Sequence, residues 1–176
     1  MKTNIALIGF MGAGKTAVGQ VLAKKLSRKF IELDSLIEQK AGKPIPEIFQ
    51  QDGEIAFREL EIEATKEVSR EKNTVIACGG GIVLNKINID RLRESSRIVY
   101  LTASPGVVLR RVSAEEGQRP LLEVDNPALT VRELLKFRQP FYERAADITI
   151  NTSKLDIDAV AEQIIDRLKK DESFHL

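Results

Sequence analysis

A three-layer α/β/α sandwich around a central five-stranded parallel sheet is predicted by three features of the sequence. Short apolar runs of β-favouring residues alternate with longer amphipathic stretches along the chain. The first run, NIALIGF from Asn4 to Phe10, breaks into a glycine-rich turn that leads straight into a helical pattern. No repeat, low-complexity segment or linker interrupts the 176 residues, whose 43% apolar content suits one compact domain, 1–176. Strands alternating with helices imply parallel pairing and right-handed crossovers.

Taken in order, NIALIGF reads as a fully buried strand closed by glycine. Residues 15 to 27 then place Val18, Val21, Leu22 and Leu26 on one helical stripe. KFIELD is a second strand, ending in Glu32 and Asp34, and SLIEQKAG a helix with Gly42 as its C-cap. KPIPEIFQQDG is a broken helical piece punctuated at Asp52-Gly53. A charged helix over 54 to 71 follows, with Ile55, Leu60, Ile62 and Val68 among its apolar positions. TVIAC is a third buried strand that stops at Gly79-Gly80-Gly81, NIDRLRES a short helix and RIVYLT a fourth strand. Ser104 N-caps the next helix, with Pro105 at its first position. The polar stretch after it has the composition of an exposed flap, and a helix begins at Thr130, with Pro140 expected to kink or break it. DITINT is the last strand, residues 155 to 170 a closing amphipathic helix, and the tail is expected to fray.

Composition removes several classes of function. Lys and Arg total 27 against 26 Asp and Glu, so no net charge advertises nucleic acid or a membrane surface. Aromatic residues are 5% of the chain and tryptophan is absent, which leaves no platform for stacking bases. One cysteine, Cys78, makes no internal disulfide, and one thiol with one histidine builds no zinc site. A strand pattern beginning at Asn4 leaves no room for a signal peptide, and the first apolar stretch is too short to span a bilayer. A cytoplasmic protein is expected. No large apolar surface stripe is left over once the core is assigned, so a monomer is expected too.

The chemistry is announced by GFMGAGKT, residues 9 to 16, which fits G-x-x-x-x-G-K-[ST] between a strand and a helix. Glycines let successive backbone N–H groups converge on a phosphate, and the helix adds its positive end. Lys15 reaches the outer phosphates and the Thr16 hydroxyl suits the accompanying magnesium. Neither TVIAC nor RIVYL ends in an acid, as the magnesium strand of a motor or switch protein does. The acids that close a strand are Glu32 and Asp34, at the sheet edge that lines the ligand crevice of open parallel sheets. An acid able to serve both magnesium and an acceptor hydroxyl suits a small-molecule kinase.

Several stretches in order, GFMGAGKT, FIELDSLIEQKAGKPIPEIFQQDGEIAFRELE, ACGGG, RPLL and FRQPFYERAADI, resemble the shikimate kinase family over nearly the whole chain. The resemblance implies a P-loop kinase of the nucleoside-monophosphate-kinase type, with a mobile lid at about 113–127 and an acceptor-binding region at about 34–62. It implies transfer of a phosphoryl group from ATP to shikimate, giving shikimate 3-phosphate and ADP in chorismate biosynthesis, with Mg²⁺ as cofactor. Asp34 is then the residue that contacts the acceptor hydroxyls and assists proton removal. Arg58 and Arg138 bind the acceptor carboxylate over a backbone floor of Gly79, Gly80 and Gly81. Gly12, Ala13, Gly14, Lys15, Thr16 and Ala17 hold ATP, Arg111 lies against its adenine, and Arg119 in the lid reaches the transferring phosphate. Magnesium is met by Thr16 directly and by Glu32 and Asp34 through water.

One departure is visible: the family usually has Asp-x-Asp after strand two, and here the pair is Glu32 and Asp34. Read without the resemblance, Asp34 also fits the N-cap of a helix starting at Ser35. Arg58 has Glu54 and Glu61 at i−4 and i+3 and fits a surface ion pair, and Arg138 fits a solvated helix face. Two other functions compete. One is a kinase for another hydroxylated acid or nucleotide, which Arg58, Arg138 and the triple glycine argue against. The other is a ligand sensor without catalysis, which Lys15, Thr16, Asp34 and Arg119 argue against.

Overall fold

The computed structural model describes residues 1–114, 125–154 and 156–176. Five strands form one parallel sheet: β1 (Asn4–Ile8), β2 (Lys29–Glu32), β3 (Thr74–Ala77), β4 (Ser96–Thr102) and β5 (Ile148–Asn151). Their order across the sheet is β2-β3-β1-β4-β5. The central strand pairs Leu7 with Ala77 on one side and with Val99 on the other. The turns after β1 and β3 therefore leave the sheet side by side at its carboxyl edge, where open parallel sheets bind ligands.

Both faces of the sheet are covered, so its strands read as continuous apolar runs rather than alternating ones. Ile5, Leu7, Val75, Val99 and Leu101 point to one face, where they pack with Val18 and Leu22 of α1 (Lys15–Lys25) and Val160, Ile164 and Leu168 of α8 (Ile157–Lys169). Ala6, Ile8, Ile76, Ile98 and Tyr100 point to the other. That face carries α2 (Leu33–Ala41), α3 (Ile45–Gln51), α4 (Gly53–Val68), α5 (Lys86–Ser95), α6 (Pro105–Ser113) and α7 (Pro127–Ala145). Gly19 of α1 faces the Phe30 ring, where a Cβ would lie 2.6 Å from a ring carbon, so the helix sits close against the sheet. Among the described residues no helix is long and apolar enough to cross a membrane.

Four local expectations are corrected. Asp34 lies in the first turn of α2, which begins at Leu33, and neither ends β2 nor caps a helix starting at Ser35. In that turn it still lies near the helix N-terminus, where negative charge is favoured. The long helix α7 starts at Pro127 rather than Thr130, because the Asn126 side chain accepts from the Leu129 N–H at 3.2 Å and Pro127 takes the first position. It continues through Pro140 to Ala145: one face buries Val131, Arg138, Tyr142 and Ala145, so packing on both sides of the proline outweighs one missing N–H. The tail does not fray. Phe174 is buried, Lys2 bridges to it, and Arg28 donates to the carbonyls of Thr3 and His175. The Ser104 cap and the left-handed Gly42 C-cap are where the sequence puts them. Ile55 is 79% exposed, so of the apolar positions read in α4 that one is outside the core.

Candidate active site

The phosphate end of the site is built by one contiguous stretch. The chain leaves β1 at Ile8, turns through Gly9 to Gly14 and enters α1 at Lys15. Gly14 sits before the first helical residue at φ 94°, a left-handed conformation that glycine adopts without penalty. The N–H groups of the first helical turn have no intrahelical partner and present positive charge to the cleft. The Lys15 ammonium donates to the carbonyls of Gly9 at 2.7 Å and Phe10 at 2.8 Å, which holds the side chain back over the loop. The Thr16 hydroxyl donates to Glu32 Oε1 at 3.1 Å, tying the start of α1 to the end of β2.

Behind the loop, Arg111 of α6 donates from Nη1 to the Gly12 carbonyl at 3.0 Å and from Nη2 to the Thr152 carbonyl at 2.9 Å. The nearly buried Thr152 hydroxyl also lies 3.2 Å from the Ala13 carbonyl and 2.9 Å from that of Thr102. The glycine loop is thus braced from α6 and from the turn after β5.

The other end is assembled from four separated elements. Asp34 comes from α2, Arg58 and Glu61 from α4, Gly79–Gly81 from the turn after β3, and Arg138 and Tyr142 from α7. The Arg58 guanidinium donates to Glu61 Oε1 at 3.0 Å and reaches Glu54 Oε1 at 3.4 Å. The ion-pair reading of Arg58 is therefore correct in its partners, but the guanidinium also stands beside Gly81, where a Cβ would come within 2.4 Å of Nη1. Glu61 is fully buried, and burial pushes its carboxyl above the ordinary range while Arg58 pulls the other way. A Cβ on Gly79 would lie 2.8 Å from Asp34 Oδ1 and 3.3 Å from Glu61 Oε2, so both carboxylates converge on that glycine.

Arg138 is only 7% exposed and stands against the Phe10 ring, 5.7 Å from its centroid. Among the described residues it forms no ion pair, and its Nε is buried without a hydrogen-bond partner. The solvated-face reading of this arginine is thereby overturned. The two ends share a cleft of about 1040 Å³. It is lined by Gly12, Ala13, Gly14, Lys15, Thr16, Ala17, Glu32, Asp34, Arg58, Gly79, Gly80, Gly81, Arg111 and Arg138, and between the ends by Ile45, Phe49 and Phe57. Arg119 and most of the stretch read as a lid, 113–127, lie outside the described residues.

A family model described as shikimate kinase matches residues 11–169, a span that takes in both ends of the cleft. The chain belongs to the shikimate kinase family. Shikimate kinase of Caldanaerobacter subterraneus is 50% identical over 162 residues, covering 92% of this chain and 94% of that one. Its counterpart in Thermoanaerobacter pseudethanolicus is 47% identical over 170 residues, 95% and 98% of the two chains. Among solved structures, shikimate kinase from Acinetobacter baumannii in complex with shikimate matches with a TM-score of 0.93 at 38% identity, over 98% of this chain and 96% of that one. A gluconokinase from Sinorhizobium meliloti, at 18% identity and a TM-score of 0.57, covering 92% of this chain and 88% of that one, shares the fold alone.

Within the shikimate kinase frame, three side chains in or beside the site were not singled out by the sequence. Glu61 read only as a flank of Arg58, because nothing local to a charged helix marks one carboxylate as buried. Tyr142 hides in the charge-rich α7, four residues after Arg138. Thr152 lies in the last strand pattern as an ordinary β-former. For Tyr142, counting four residues on from Arg138 along the helix was the one available signal, since residues four apart share a face.

Proposed function

We propose that the protein transfers the γ-phosphoryl group of ATP to a hydroxyl of shikimate, giving shikimate 3-phosphate and ADP. The observation that carries the acceptor assignment is Arg138, a buried guanidinium beside Gly80 with no carboxylate partner among the described residues. A buried charge without a partner is strongly unfavourable. An anion arriving with the substrate removes that penalty, and a carboxylate meets a guanidinium through two parallel N–H bonds. Arg58, held by Glu61 and beside Gly81, supplies a second cation at the same floor.

In the transfer, the acceptor hydroxyl oxygen forms a bond to the γ-phosphorus as the bond to the β–γ bridging oxygen breaks, and ADP leaves. We assign Asp34 to the acceptor hydroxyl, taking its proton and passing it to water. Lys15, released from the Gly9 and Phe10 carbonyls, neutralises the outer phosphates, and the backbone N–H groups of Gly12 to Ala17 cradle them, apart from that of Ala13, which donates to the Phe10 carbonyl at 3.1 Å. Such a reaction needs positioning and charge neutralisation more than covalent chemistry. Arg111, fixed by Gly12 and Thr152, is assigned to the adenine side and Arg119 to the transferring phosphate.

The donor set fits magnesium. A hydroxyl and a carboxylate, Thr16 and Glu32, are already held together at 3.1 Å, both hard oxygen donors. Among the described residues no group of three or more His, Cys, Asp or Glu could cage a metal, which suits an ion that arrives with phosphates and keeps its waters. Thr16 would hold it directly, with Glu32 and Asp34 acting through water. Bound with ATP, magnesium neutralises charge on the β- and γ-phosphates. We further infer a cytoplasmic monomer, which sedimentation at working concentration checks.

The test is ADP release from ATP and magnesium in a coupled assay, with and without shikimate. Turnover that depends on shikimate supports the reading. Turnover no higher than the background without acceptor overturns it and moves the search to other hydroxylated acids.

A further inference from the structure

Tyr142 is fully buried in α7, four residues and about one turn after Arg138. Its hydroxyl donates to the Gly80 carbonyl, and Gly80 in turn stands against Arg138, where a Cβ would lie 3.5 Å from Nη1. The ring stacks on Tyr100 of β4, centroids 5.0 Å apart and planes inclined by 23°, so the sheet fixes its orientation. One hydroxyl thereby fixes the middle of the triple glycine beside an arginine with no carboxylate partner among the described residues. A buried tyrosine needs only one partner to satisfy its hydrogen. Here that partner is the glycine against which the Arg138 guanidinium stands. Burial and the neighbouring ring keep the phenol neutral, and so a donor, throughout the ordinary pH range.

We propose that Tyr142 is a positioning residue for the acceptor: it sets the Arg138 fork against the glycine floor so that a carboxylate is met in the right orientation. The inference rests on the kinase reading above. It goes beyond that reading in placing part of the acceptor affinity in a residue that touches neither substrate. Without the hydroxyl, the part-buried Gly80 carbonyl loses its side-chain partner and the floor beside Arg138 is free to shift.

The experiment is steady-state kinetics of Tyr142→Phe with ATP and shikimate, each varied at saturation of the other. The variant keeps the ring and its stack. Acceptor KM is expected to rise about tenfold, with kcat and ATP KM within about twofold, the scale of one lost buried hydrogen bond. In an Arg138→Ala background the Tyr142→Phe effect on acceptor KM is expected to shrink to less than about half of its logarithm, because interacting residues are non-additive. An unchanged acceptor KM, or equal rises in both KM values with a lowered melting temperature, overturns the proposal in favour of a merely structural tyrosine.

Should Tyr142→Phe fail to fold, the wild-type chain labelled with 3-fluorotyrosine answers the same question. It has two tyrosines, so two fluorine resonances, and Tyr100→Phe assigns them. Shikimate is expected to move the Tyr142 resonance where ATP does not. A resonance indifferent to shikimate, in a protein that turns shikimate over, refutes the positioning role alone. A wild-type protein that neither turns shikimate over nor shows the shift overturns the kinase reading and this inference with it.

Discussion

At the phosphate end of the cleft the glycines answer to the backbone, whereas at the acceptor end they answer to side chains. Gly9 has φ 151°, and a Cβ there would sit 2.4 Å from the Leu101 carbonyl oxygen, which belongs to the sheet and cannot retreat. Gly14 adopts the left-handed region at φ 94°. Gly79 and Gly81 have no such backbone; a Cβ on them would instead strike Asp34 Oδ1 or the Arg58 guanidinium. One region is a rigid cradle written in a single stretch of chain, and the other is a gathering of charged side chains from separate elements around a glycine floor. On the proposed assignment, damage to the first is expected to cost folding or catalysis outright, and damage to the second to cost acceptor affinity first.

The largest expected effect is Lys15→Ala, which removes the only side-chain cation of the glycine loop: a fall in kcat of about a thousandfold or more, comparable to losing a key electrostatic stabiliser. Rapid-quench or coupled turnover measures it, and retention of a tenth of the activity would break the assignment of Lys15. Arg138→Ala is expected to act on the opposite term, raising acceptor KM by about 30- to 100-fold, the scale of a charge-assisted bidentate contact, while leaving ATP KM within about threefold. An unchanged acceptor KM would take Arg138 out of the site.

The glycines sharpen the same contrast. Gly81→Ala displaces the far end of a flexible arginine, so a folded protein with a melting temperature near that of the wild type and an acceptor KM raised about tenfold is expected. Gly9→Ala meets a backbone carbonyl and is expected to lose several degrees of melting temperature, since relief requires the sheet itself to move. Equal thermal losses in the two variants would erase the distinction between a side-chain floor and a backbone cradle.

How much of this was readable in the chain follows the same division. The cradle is contiguous, so GFMGAGKT displayed it completely, and strands buried on both faces displayed themselves as unbroken apolar runs. The triple glycine was also legible, though as a backbone floor for the acceptor; its nearest side-chain neighbours in the fold are Asp34 and Arg58. Glu61 was not legible, because burial of one carboxylate among the six other acidic or basic residues of a charged helix is decided by where α2 and the β3 turn pack. Phe174 was read as frayed because its partner, the Lys2 backbone, is at the far end of the sequence. Pro140 leaves α7 unbroken because one absent N–H counts for little when Arg138 and Tyr142 are both pinned inside.

Glu61 also gives the acceptor end a pH signature of its own. Burial raises its folded-state pKa above the unfolded value of 4.5, so its favourable contribution is full below that value and is lost as pH rises through the folded pKa. Glu61→Gln stays neutral and escapes this loss. The melting temperature of the variant relative to wild type is therefore expected to improve from about pH 4 to about pH 8, while acceptor KM rises because Arg58 loses its buried anchor. A relative stability that does not change with pH would mean Glu61 stays ionised at no cost. Asp171, at the docked tail, runs the other way: Arg97 and Ser173 hold its pKa at about 2, so its contribution is present above 3.8 and lost as acid approaches 2.

The smallest effect is expected at Glu32, where the family usually has aspartate. The Thr16 hydroxyl reaches Glu32 Oε1 at 3.1 Å, so the longer side chain already spans to the threonine proposed to hold magnesium. If Glu32 serves the ion through water, one methylene changes where the water sits and leaves the charge unchanged, and a water can follow at little cost. Glu32→Asp is then expected to change kcat and the magnesium needed for half-maximal rate by no more than about threefold, whereas Glu32→Ala, which removes the charge, is expected to raise the magnesium requirement about tenfold. Titration of magnesium at fixed ATP separates the cases. A drop in the aspartate variant as large as in the alanine variant would show that side-chain length, not charge, does the holding. Glu32 would then have to reach the ion itself, and the phosphate end would lose the tolerance that its backbone construction otherwise gives it.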